Sequence, residues 1–130
     1  MISQYKWLKP YYDKKLMQKL AQYLDKISDE DFDTSKFIDG IKFIRIQLYP
    51  ILFTLSFLKE DILEYDQFIG YLYFCWRTSN DIHIDVKSFS SCFSANWKKV
   101  LNYDNLLLKE LDYNLNFTKE DAECILLRIY

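Results

Sequence analysis

The stretch Phe68-Ile69-Gly70-Tyr71-Leu72-Tyr73-Phe74-Cys75-Trp76 decides the fold class. It sits within a predicted helix over 64–78, which Thr78-Ser79-Asn80-Asp81 brings to an end. Phe68, Tyr71, Tyr73, Phe74 and Trp76 leave that helix almost no polar face. Two readings follow from such a surface. The helix is a central one, enclosed by its neighbours, or it turns one side to a protein partner, where aromatic side chains dominate binding energy.

Upstream, Pro50 suits the first turn of a helix over 50–59, whose Ile51, Leu52, Phe53, Leu55, Phe57 and Leu58 make it apolar nearly all round. Pro50 disfavours helix at Tyr49, so the preceding helix, capped by Thr34 or Ser35 and apolar at 37, 38, 41, 44, 46 and 48, is expected to stop there. Further back, apolar residues at 12, 16, 17, 20, 23, 24 and 27 mark one helical face. The acidic run Ser28-Asp29-Glu30-Asp31-Phe32-Asp33 separates the two as a linker.

Downstream, Ile82-His83-Ile84-Asp85-Val86 alternates like a strand but is short and isolated, and a short helix near 85–93 is expected instead. Asn102 to Leu111 is helical by spacing. Thr118-Lys119-Glu120-Asp121 carries N-cap chemistry for a last helix to Tyr130, with Asp121 at the reciprocal position usually held by Glu or Gln.

Composition agrees with a soluble helical domain. Half of the 130 residues are hydrophobic, which is ample for a core. Two Gly and two Pro are too few for a meander of short strands. The longest uncharged run, Ile46 to Leu58, is shorter than a membrane span and contains Pro50. Met1 to Pro10 lacks a signal-peptide apolar region, so an intracellular location, cytoplasmic or nuclear, is expected. The net charge of −2 argues against nucleic acid as a partner, although Lys14, Lys15 and Lys19 form a local basic patch on the first helix.

Chemistry is scarce. His83 is the only histidine, which removes most Ser-His and Cys-His schemes. Cys75, Cys92 and Cys124 are odd in number and widely spaced, so they read as small apolar core residues, not as a disulfide framework or metal knuckle. Gly40 and Gly70 cannot build a phosphate-cradling loop. The run Asp29-Glu30-Asp31-Asp33 reads as solvated linker, and Glu60-Asp61 beside Glu64 as helix N-terminal acid. No enzyme activity, cofactor or metal is expected.

The segment Asp104 to Leu115, ending Leu111-Asp112-Tyr113-Asn114-Leu115, is similar to the "E-x-x-x-L-x-x-L-D-F-x-L" close of the fifth helix of the cyclin box. Asn116-Phe117-Thr118-Lys119-Glu120-Asp121 resembles that family's exit into a final helix. Cys75-Trp76-Arg77-Thr78, followed by Asp81, resembles the close of the third box helix. Thr54-Leu55-Ser56-Phe57-Leu58 resembles the approach to the family's "Y-I-D-R" motif, where this chain continues Lys59-Glu60. The chain thus resembles a divergent single cyclin box, of the kind found in short cyclins.

The resemblance implies an all-α fold in one domain over 1–130: an N-terminal helix and acidic linker to residue 33, a five-helix box over 34–117, and a C-terminal helix over 118–130. It also implies a partner, a kinase of the cyclin-dependent type. In the family a Lys on the third helix and a Glu on the fifth form a charged pair at the kinase contact. Arg77 and Asp104 fall at those positions with the same charge signs, and Phe74 and Leu108 are the flanking apolar anchors. Helix dipoles offer another reading, in which Arg77 ends one helix favourably and Asp104 starts another. A helical adaptor, or a subunit of a large multi-subunit complex, is the alternative function.

Overall fold

In a computed structural model, the described residues are 14–28, 32–46, 48–57, 64–80, 84–111 and 118–129. They form seven α-helices and no strand: α1 (Lys14–Ile27), α2 (Thr34–Ile44), α3 (Leu48–Ser56), α4 (Tyr65–Asn80), α5 (Val86–Cys92), α6 (Trp97–Leu111) and α7 (Lys119–Ile129). The all-α expectation holds. The strand-like alternation fails where it can be followed: Ile84 and Asp85 are irregular, and Val86 opens α5. His83 lies outside the described residues, as do the acidic run 29–31 and the motif residues 112–117.

Several helix ends differ from the sequence reading, each for a local reason. The cap of α2 is Asp33, not Thr34 or Ser35, and its carboxylate accepts the Lys36 N–H. Helix α2 stops at Ile44, well before Tyr49, because Arg45 turns into the left-handed region (φ 57°). The Arg45 and Ile46 N–H groups both return to the Ile41 carbonyl, and Ile46 drops into the core beside Ile41. Pro50 does not break the chain. It sits inside the first turn of α3, where backbone N–H groups have no helical partner to lose. Helix α4 runs past Thr78, whose hydroxyl donates back to the Phe74 and Cys75 carbonyls instead of ending the helix. Helix α6 begins at Trp97, not at Asn102, because Asn96 accepts the Lys98 N–H. The expected capping box is present at α7: the Asp121 N–H donates to the Thr118 hydroxyl, and the Thr118 N–H donates to the Asp121 carboxylate.

Helix α4 is the centre of the packing. It lies against α3, α5 and α6, most extensively α6. Its Phe68, Ile69, Leu72, Tyr73 and Trp76 enter a core to which every described helix contributes, from Leu20 and Leu24 on α1 to Ile125 and Ile129 on α7. Its Tyr71, Phe74 and Cys75 face another way and join Phe53 and Leu107 in a second, smaller cluster. Both faces of the helix are therefore buried, which selects the enclosed reading over the partner-facing one.

The two glycines mark close helix crossings. A Cβ on Gly70 of α4 would lie 2.9 Å from the Val100 carbonyl oxygen and 2.7 Å from Tyr103 Cβ, both on α6. A Cβ on Gly40 of α2 would meet the Phe93 ring at 2.3 Å. At the same corner the Tyr65 hydroxyl donates to the Phe93 carbonyl at 2.5 Å, tying the start of α4 to the α5–α6 turn.

Candidate functional site

Arg77 projects from the last third of α4 and Asp104 from the middle of α6. Their separation in sequence closes across the main helix pair: Arg77 Nη2 donates to Asp104 Oδ1 at 2.6 Å, and the two form an ion pair. The alternative helix-dipole reading sets Asp104 at a helix start, but α6 begins at Trp97, so Asp104 is well inside the helix. The N-terminal dipole reading of Asp104 is thereby corrected, since that effect fades after the first turn.

Tyr73, one turn before Arg77, completes the arrangement. The guanidinium carbon stands 4.3 Å from the Tyr73 ring centroid. The Tyr73 hydroxyl donates to the Ile84 carbonyl at 2.7 Å, which holds the ring in place. Burial raises the Tyr73 hydroxyl above its ordinary value, with Arg77 opposing, so it remains a neutral donor. The sequence reading names Tyr73 only as one aromatic of this helix and not as a site residue, yet its i, i+4 spacing to Arg77 is a readable signal for contact on one helix face.

The electrostatics of the pair are uneven. Burial pushes the Asp104 carboxyl above its ordinary value, and the charge and hydrogen bond of Arg77 only partly offset this. The Arg77 Nε is buried and has no hydrogen-bond partner among the described residues. Such a pair is weak evidence for stability, because desolvation of the acid opposes the attraction.

The expected apolar anchors divide. Leu108 is half-buried and packs against the smaller cluster, so it reaches the surface beside the pair. Phe74 does not. It is 2% exposed and packs with Phe53, Tyr71, Cys75 and Leu107. Its position between α3 and α6 makes it a support for the surface instead of part of it. The outer edge of this cluster is aromatic: Tyr71 meets Phe57 and Tyr103 edge-on at 6.4 and 6.2 Å, and the Tyr103 hydroxyl donates to Glu64.

The cysteines also differ from one another. Cys75 is fully buried, and desolvation pushes its thiol up despite a bond with Thr54. Cys92 is half-buried, while Cys124 is exposed, which corrects the reading of all three as core residues. Among the described residues no group of His, Cys, Asp and Glu is arranged to hold a metal ion, and no helix is long and apolar enough to cross a membrane.

No protein-family model, curated protein or solved structure matches this chain.

Proposed function

We propose that this chain is a cyclin-like regulatory protein that binds a kinase of the cyclin-dependent type through the exposed edge of the α4–α6 pair. The observation that carries the reading is the Arg77–Asp104 contact. Two residues chosen by resemblance, on the helices corresponding to the third and fifth of a cyclin box, meet at 2.6 Å. The half-buried pair is consistent with a role in recognition, since an ion pair of this kind adds little to stability. The order of helices also supports the reading, with α1 preceding a group of five, α2 to α6, and α7 following.

In this reading Arg77 and Leu108 touch the kinase, Asp104 and Tyr73 orient the guanidinium, and Phe74 holds the helices in register. Docking would bias the kinase towards the arrangement in which its catalytic Lys–Glu pair is formed.

The test is co-purification from cells with identification of the bound proteins and an assay of kinase activity. A stoichiometric kinase is expected with the unaltered chain. Reversal of the charge, R77E, should weaken the complex by about 2–5 kcal/mol if the pair is desolvated in it, with folding checked by circular dichroism. A folded R77E chain that still recovers stoichiometric kinase refutes the proposal.

An adaptor or structural-subunit role is the second reading. Gel filtration separates it from the first. Self-association of the isolated chain on gel filtration, without kinase recovery, would support it.

A further inference from the structure

We draw no further inference here: the strongest candidate, the surface patch at the end of α2 where Phe43 stands exposed beside Lys42 and Arg45, carries nothing because nothing in the structure shows what covers it.

Discussion

Asp104 is more deeply buried than the Arg77 that pairs with it: their side chains are 9% and 35% exposed. The two halves of the pair are therefore unequal in removal. Arg77→Leu strands a buried carboxylate and should destabilise the fold at neutral pH by about 2–4 kcal/mol. Asp104→Asn leaves a guanidinium that reaches solvent and should change stability by less than about 1 kcal/mol. Urea unfolding of both variants checks the asymmetry, and equal effects would contradict it.

The same acid predicts a pH dependence. Because burial raises its folded pKa, Asp104 contributes stability that is fully present below its unfolded value of 3.8 and is lost as pH rises through the folded value. Asp104→Asn lacks this loss. Compared by urea unfolding from about pH 3.5 to about pH 7, the balance between wild type and variant should move towards the variant. A difference that stays flat, or moves towards wild type, excludes a raised Asp104.

Gly70→Ala should destabilise by about 1–3 kcal/mol, although alanine is the better helix former. The new methyl group would stand against the Val100 carbonyl, a backbone atom that yields only if α6 moves. Thermal unfolding followed by circular dichroism measures this. A raised midpoint would show that the α4–α6 crossing is looser than described.

Arg45→Gly should have the opposite sign. Arg45 is an exposed non-glycine residue with φ 57° at the end of α2. Glycine adopts that conformation without the Cβ penalty, so a gain of about 0.5–1 kcal/mol is expected. Loss of stability would mean that the Arg45 side chain makes a contact worth more than the strain.

The thiols should react in order of exposure. Cys124 is exposed and should be alkylated in the folded protein, whereas Cys75, buried with its thiol pushed up, should react only on unfolding. Mass spectrometry after timed iodoacetamide treatment reads the order, and early labelling of Cys75 would refute its burial.

The helical class is legible in the spacing of apolar residues along the chain. Apolar residues on every side of Phe68 to Trp76 fit either an enclosed helix or one that faces a partner, and the burial of both faces in the structure selects the first. The sequence also marked the Thr118–Asp121 cap, because that bond is made between residues three apart. Resemblance named Arg77 and Asp104, but composition and periodicity could not, since a contact 27 residues apart has no local signature.

Which faces meet is fixed by packing between helices. Packing moved Phe74 from the surface to the interior, because α3 and α6 close on it from either side. It also brought Lys87 and Lys98 onto Trp97, which depends on how the α5–α6 turn folds back. Helix ends such as Arg45 and Asn96 were settled by single hydrogen bonds and one backbone torsion, whose energies are too small to be visible in hydrophobic pattern. Periodicity specifies a helix and its buried stripe. The partner of that stripe is chosen by packing across the whole chain, where a glycine such as Gly70 sets how close two backbones come.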